Sequence, residues 1–451
     1  MKKTSLWALW PALACASLLP GLAMAQAPAP QAHACPAEVP PAARCFTGAL
    51  GDGNHFWIAL PANWNKDTGV LVMHAHGGPA DTGASKPERS EADLKRWAVT
   101  VKAGYAWAGA TYRRGGYGVT MAAEDTEQLR KYFVQHFGQP RRTVLHGQSY
   151  GGAVASKAAE IYAMVDGPSG KVRGPYDAVL LTSGVLGGGT RAYDFRLDLR
   201  AVYQYVCKNH PRADEVQYPL WQGLPLDSRL TRPELAARVD ECTGVRKPAA
   251  QRTAQQQANL ASIVNVIHIP ETSLIGHLNW ATWLFRDLTQ LRLGNRNPFS
   301  NAGVTYRGSQ DDAALNAGVL RYSADPQAVA QLANDSEPAG RINMPVLTLH
   351  AIGDPTAFVE LESAYRAIVD KAGNGALLVQ TFSDEHEHSY LSDPQYPALL
   401  SALLDWVDHG NKPTPQKVLE LCKGYEAAYG DTCRLQPSYQ PPPLATRVPA
   451  R

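Results

Sequence analysis

Short apolar runs recur along this chain, most of them alternating with longer stretches of helical periodicity, and that rhythm constrains the fold more than any single motif. The runs are His55–Leu60, Gly69–Ala75, Tyr105–Tyr112, Thr143–Gly147, Tyr176–Thr182, Pro345–Ala351 and Ala376–Phe382. A strand covered on one face alternates apolar with polar residues, whereas a strand covered on both faces stays apolar throughout. Most of these runs are of the second kind. Helical spacing fits Ala122–Phe137, Ser149–Met164, Val359–Ala372 and Pro394–His409. Strands and helices in this order predict an α/β fold, a mostly parallel sheet with helices on both faces.

The rhythm breaks between Gly187 and Ile342, where the chain turns helix-like and rich in Tyr, Trp and Phe, among them Tyr203, Trp221, Trp280 and Trp283. Because this stretch lies between two predicted strands, residues 187–342 read as a large, mainly helical lid inserted over the sheet. Residues 45–186 and 343–433 are then the core. Trp280 and Trp283 belong mostly to the insertion's own packing, with one or two such rings left to line a pocket. Residues 26–44 are rich in Ala and Pro and read as a tether, and 434–451, with five prolines, as a tail over the surface. A length of 451 residues suits one large domain with such an insertion.

Residues 1–25 have the form of an export signal. Lys2 and Lys3 precede an apolar run, Leu6–Leu22, broken by Pro11 and Pro20, and Ala23-Met24-Ala25 supplies a small-x-small cleavage site. That run is too short and too broken to span a bilayer, and no later stretch is long enough, so stable membrane insertion is not expected. The expected location is exported, periplasmic or secreted. Without residues 1–25 the chain carries 41 basic and 41 acidic residues. A balanced charge lacks the long-range attraction that drives binding to a phosphate backbone, which argues against nucleic acid as a partner. Beyond Cys15 the cysteines are even in number, and an oxidising compartment would pair them. Proximity in sequence favours Cys35–Cys45, Cys207–Cys242 and Cys422–Cys433.

Chemistry enters at Gly147-Gln148-Ser149-Tyr150-Gly151, a G-x-S-x-G between a buried strand and a small-residue helix. A serine on so sharp a turn sits at a strained backbone angle, and the residues two before and two after it must lack side chains. Such a nucleophile needs donors for an oxyanion, a base, and a group that orients the base. His76-Gly77-Gly78-Pro79 follows the strand Gly69–Ala75, where donors should lie. Pro79 has no N–H, so the expected pair is the amides of Tyr150 and Gly78, with Gly77 second to Gly78. Asp354, in the turn after Pro345–Ala351, is the candidate orienting carboxylate. His388, after the last strand, is the candidate base, in competition with His386. The chain order Ser149, Asp354, His388 is the order this kind of turn calls for.

These motifs, G-Q-S-Y-G-G, H-G-G-P, G-D-P and E-H-S, resemble those of serine hydrolases of the α/β-hydrolase fold over roughly residues 55–410, with 187–342 in the place of the variable lid. H-G-G-P is also similar to the H-G-G-P-G of proline iminopeptidase-like exopeptidases, with Ala80 here in place of the last glycine. The family implies acyl transfer through a serine ester to water, with no cofactor. The expected function is therefore that of an exported serine esterase acting on a small-molecule or oligomeric ester, and the aromatic insertion would suit an aromatic acid ester or a polyester. A serine exopeptidase on the same fold is the first alternative. It needs an acidic cluster or a backbone ring near the site to hold a free amine, and Asp311, Asp312 and Glu337 are acids that the insertion offers. A catalytically dead binding protein is the second. A metal hydrolase built on His74-x-His76 and His386-x-His388 would leave the serine turn unexplained, and no metal is expected. Arg113 or Arg114 could hold a substrate carboxylate, but an ion pair with Glu124 or Asp125 accounts for such a loop arginine better.

Overall fold

The computed structural model describes residues 28–51, 53–78 and 83–451. The expected export signal, Cys15, and Pro79 with Ala80 of the H-G-G-P loop lie outside the described residues. The strands are β1 (Gln31–His33), β2 (Arg44–Ala49), β3 (His55–Leu60), β4 (Val70–Ala75), β5 (Ala106–Ala110), β6 (Arg142–Gln148), β7 (Met164–Gly167), β8 (Gly170–Arg173), β9 (Ala178–Thr182), β10 (Val346–Ala351) and β11 (Leu378–Ser383). Nine of them form one sheet in the order β1-β2-β3-β5-β4-β6-β9-β10-β11. From β5 through β4 to β11 every pairing is parallel, and β1, β2 and β3 add an antiparallel edge. This is the α/β-hydrolase fold.

The apolar runs form strands because both of their faces are covered. In β4, Leu71, Met73 and Ala75 pack into one core while Val70 and Val72 pack into another on the opposite face. In the same way β9 sends Val179 and Leu181 one way, and Ala178 and Leu180 the other. The helices Val119–Phe137, Tyr150–Ile161 and Leu361–Lys371 close the first face with Leu129, Val154 and Tyr365. Pro87–Arg96, Gln395–His409 and Pro415–Tyr429 close the second with Leu94, Leu403 and Val418.

Between β9 and β10 the chain is helical, beginning with the 20-residue helix Gly188–Cys207. The helices Arg232–Thr243 and Ala254–Ile267 each start on a threonine capping box, at Thr231 and Thr253, which satisfies amides that a helix start leaves open. Leu199, Val202, Leu235, Ile263 and Leu278 form a separate core here, joined from elsewhere in the chain by Phe358 and Val448. Trp283 packs on this core, while Trp280 packs on the core beneath the sheet.

Several segments depart from the sequence expectation. Within the stretch read as a tether, Gln31, Ala32 and His33 pair with β2, and Cys35 is bonded to Cys45. Three residues in an Ala/Pro background carry too little pattern to announce a strand. The helix Tyr150–Ile161 stops before Met164, which opens the exposed hairpin β7–β8. The tail does not wander: Leu435 bridges to Ser383, and the amide of Gln436 donates to the carbonyl of Phe382, 2.8 Å away. Val448 is buried in the insertion, and Arg451 pairs with Asp198 and, at 3.6 Å, with Asp194. Cys207–Cys242 and Cys422–Cys433 are also bonded.

Burial and the neighbouring Asp198 push Asp194 up to about 7 against the pull of Arg451. Removing that cation leaves two crowded, largely buried carboxylates. Arg451→Met should cost about 2 kcal/mol, below the value for a fully buried pair because the arginine is partly wet. A carboxyl whose folded pKa is raised costs nothing at low pH and loses stability as pH climbs past its unfolded value. The deficit in urea unfolding should therefore be larger at pH 8 than at pH 5.

Candidate active site

Ser149 joins β6 to the helix Tyr150–Ile161 with φ 59° and ψ −125°. Only glycine visits this region freely, so the turn holds strain of about 1–3 kcal/mol that its surroundings must impose. They leave no space for an alternative. A Cβ on Gly147 would lie 2.0 Å from the Gly151 carbonyl oxygen, and one on Gly151 would lie 2.0 Å from that of Ala75. The Ser149 amide donates to Thr182 at 3.1 Å, and its carbonyl accepts from Val185 at 3.0 Å. The hydroxyl is thereby presented at the carboxyl end of the parallel strands.

His388 meets that hydroxyl, and Asp354 meets His388. The Ser149 hydroxyl lies 2.7 Å from His388 Nε2, and His388 Nδ1 donates to the Asp354 carboxylate at 2.8 and 3.0 Å. With the proton on Nδ1, Nε2 is free to accept from the serine. Asp354 Oδ1 also accepts the amides of Thr356 (2.8 Å) and Ala357 (2.9 Å), which fixes its rotamer. His386 is exposed and lies against Gly353, off this chain of bonds. Gly78, with φ 63°, and Tyr150 border the same cavity as Ser149 and His388. Tyr150 is the first residue of its helix, so its amide has no acceptor within the helix.

Three groups that the sequence reading left without a role support this arrangement. Gln148 donates from Nε2 to the His388 carbonyl and the Ser389 hydroxyl, both at 3.1 Å, and its Oε1 accepts from Arg96 at 3.1 Å. Arg96 is held between the rings of Trp97 and Tyr390, 4.6 Å from each. Behind Asp354 sits His350, wholly buried, with Nδ1 3.2 Å from Glu362 and Nε2 2.8 Å from the Ala357 carbonyl. Both ring nitrogens face acceptors, so both must carry protons, and His350 is an imidazolium between two buried carboxylates. Burial opposes that charge, but Asp354 and Glu362 outweigh it and raise His350 to about 10. Asp354 in turn is held below the usual carboxylate range: burial opposes its charge, and the charges and hydrogen bonds of His388 and His350 prevail. A histidine inside the apolar run Val346–Ala351 signals nothing by spacing, and Glu362 reads as an ordinary helical residue.

The other sequence candidates lie elsewhere. His76 donates to Asp93 and accepts from Arg89 at 3.0 Å, anchoring the Gly77–Gly78 loop. His74 faces His146 at 3.0 Å, and burial lowers both. Among the described residues no group of His, Cys, Asp and Glu side chains could hold a metal ion. Arg113 pairs with Asp125 (2.7 Å) and Glu124 (2.8 Å). Asp311 caps the helix Asp312–Gly318, Asp312 accepts from Ser309, and Glu337 accepts from Thr190. None of the three borders the cavity beside Ser149.

That cavity, about 250 Å³, is lined by Val185, Tyr193, Phe195, Trp280, Leu284 and Phe358, with Arg196 among them. Tyr193 and Trp280 stack with ring centroids 4.1 Å apart. The lining is mostly aromatic and apolar, and among the described residues no carboxylate contributes to it.

No family model matches the chain, and no curated protein matches its sequence. Among solved structures, an esterase from Aspergillus oryzae is similar at 14% identity over 82% of this chain and 81% of that one, with a TM-score of 0.45. Candida antarctica lipase A aligns at 12% identity over 82% and 78%, with a TM-score of 0.40. A puromycin hydrolase aligns at 14% identity over 84% of this chain but 39% of its own, with a TM-score of 0.36. Likenesses this distant carry no argument about chemistry, which rests on the site itself.

The buried imidazolium has a consequence for stability. A histidine whose folded pKa is raised contributes fully below its unfolded value and loses that contribution as pH rises through the folded one. Relative to a His350→Gln/Glu362→Gln double variant, the wild type should lose unfolding free energy between pH 6.5 and about 10. Urea titrations at several pH values read this directly, and a constant difference would exclude the imidazolium.

Proposed function

We propose that the chain is an exported serine hydrolase that cleaves carboxylic esters. One observation carries the reading: a serine hydroxyl on a strained turn, 2.7 Å from an imidazole that a buried carboxylate orients, at the wall of an apolar cavity. Ser149 Oγ attacks the ester carbonyl as His388 Nε2 takes its proton. The carbonyl oxygen becomes an oxyanion held by the amides of Tyr150 and Gly78, each such donor contributing about 2.7–4 kcal/mol. The tetrahedral centre collapses, the alcohol leaves with the proton from His388, and the acyl group stays on Ser149. Water then attacks with His388 again as base, releasing the acid and restoring the serine. Asp354 stabilises the imidazolium formed in both halves without taking up its proton.

The cavity's charge favours esters over the exopeptidase alternative. A free α-ammonium requires an acid or a ring of carbonyls, whereas among the described residues this wall carries the cation Arg196 and no carboxylate. The intact hydrogen-bonded chain speaks against a dead hydrolase. Three disulfides, and the lack among the described residues of a helix long and apolar enough to cross a membrane, are compatible with export.

A fluorophosphonate probe should label the wild-type protein at Ser149. Ser149→Ala should lose labelling and lower kcat on p-nitrophenyl acyl esters by about 10⁴-fold or more. His388→Ala should fall comparably while His386→Ala stays near wild type. Cleavage of peptidyl arylamides with no turnover of esters would reverse the choice between the two alternatives.

A further inference from the structure

Arg196 is 3% exposed, yet among the described residues it makes no hydrogen bond and no ion pair, and its Nε is buried without an acceptor. What surrounds it is aromatic. The guanidinium carbon lies 4.8 Å from the rings of Tyr193 and Phe195 and 4.5 Å from that of Trp280. Ring faces attract the cation but accept none of its in-plane N–H groups. Buried arginines ordinarily meet a carboxylate because an unpaired charge in a low-dielectric setting is costly. Here the described residues supply none, and the group borders the cavity that also holds Ser149 and His388. Burial even lowers its pKa to about 10, against the opposing pull of Tyr193 and Tyr117.

We propose that Arg196 is the anchor for a carboxylate on the substrate, so that this site hydrolyses esters that also carry a free carboxylate joined to the ester by an apolar segment. This rests on the serine hydrolase reading above. The planar fork of a guanidinium matches a carboxylate with two parallel hydrogen bonds. A single positive charge balances a carboxylate and would leave a dianionic phosphate half neutralised. Val185, Leu284 and Phe358 line the same cavity as the anchor and the nucleophile and give it apolar walls. The anchor sits on the helix Gly188–Cys207, the first of the insertion, so recognition and chemistry are contributed by different parts of the chain.

The test uses mono-4-nitrophenyl esters of the linear diacids from succinate to suberate, each beside its methyl-capped neutral counterpart. The wild type should prefer the free acid at the best chain length by about 10- to 100-fold in kcat/KM, the range of a charge-assisted hydrogen bond. In Arg196→Met the ratio of acid to methyl ester should fall to near one, and Arg196→Lys should restore part of it. No acid preference at any length, or an unchanged ratio in Arg196→Met, overturns the proposal. The hydrolase reading is scored separately by fluorophosphonate labelling. In Ser149→Ala, which cannot turn over, free suberate or adipate should still raise Tm, and should no longer do so once Arg196→Met is added. Loss of labelling with that shift retained would sink the hydrolase and keep the anion site; labelling without the shift would do the reverse.

Discussion

The arrangement around Ser149 depends on one backbone contact, the close approach of the helix Tyr150–Ile161 to the ends of β4 and β6. Gly147 and Gly151 are pressed against carbonyl oxygens at distances no side chain could share. That pressure holds a serine at φ 59°, a value it would abandon in a looser setting. The same packing fixes Gln148, whose side-chain amide reaches the His388 loop and whose oxygen would crowd a Cβ on Gly77. Ser149, the Gly77–Gly78 loop and the His388 loop are therefore positioned by a single tight junction. Strain here is tolerated because parallel strands with two covered faces cannot yield locally without opening a core.

A second constraint is electrostatic. A carboxylate buried as fully as Asp354 would ordinarily take up a proton, and a protonated acid could not stabilise an imidazolium at His388. His388 and the nearby His350 keep it charged. His350 needs a second anion to remain charged itself, and Glu362 supplies it, satisfied in turn by Thr348 (2.9 Å) and Gln380. The charge behind the site is thus a balanced cluster. Removing one member leaves the others uncompensated, so single substitutions there would disturb more than one group.

What could be read from the sequence was what depends on local pattern. Apolar runs with two covered faces gave seven strands of the sheet, and the glycines around Ser149 gave the turn. Asp354 and His388 were legible by their place after particular strands, and the structure brings His388 to the serine and Asp354 to His388. Contacts between segments distant in sequence were not legible. His350 lies in an apolar strand, Arg196 in a helix whose partners arrive from the insertion and from β10's following loop, and Arg451 meets Asp198 across 253 positions. No spacing rule links such pairs. The tail misled because proline counts against regular structure but says nothing about side chains such as Leu435 and Val448 that find a core without it.

The tail and the insertion bear on the site together. Residues 434–436 pair with the end of β11, directly before the loop that carries His388, and Arg447 ties Glu360 to the His268 carbonyl at 2.9 and 2.6 Å. Phe358, on the loop that follows Asp354, packs with Phe195 beside Arg196. One loop thus meets Asp354 at one end and packs on the ring beside the cavity's cation at the other, while the tail fastens the insertion to that loop. A helical insertion held by the ion pairs of Arg451 and Arg447 and a shared aromatic contact has little freedom to swing as a rigid body. Access to Ser149 is then set by the aromatic side chains of the wall, whose rotamers move faster and at lower cost than packed helices do.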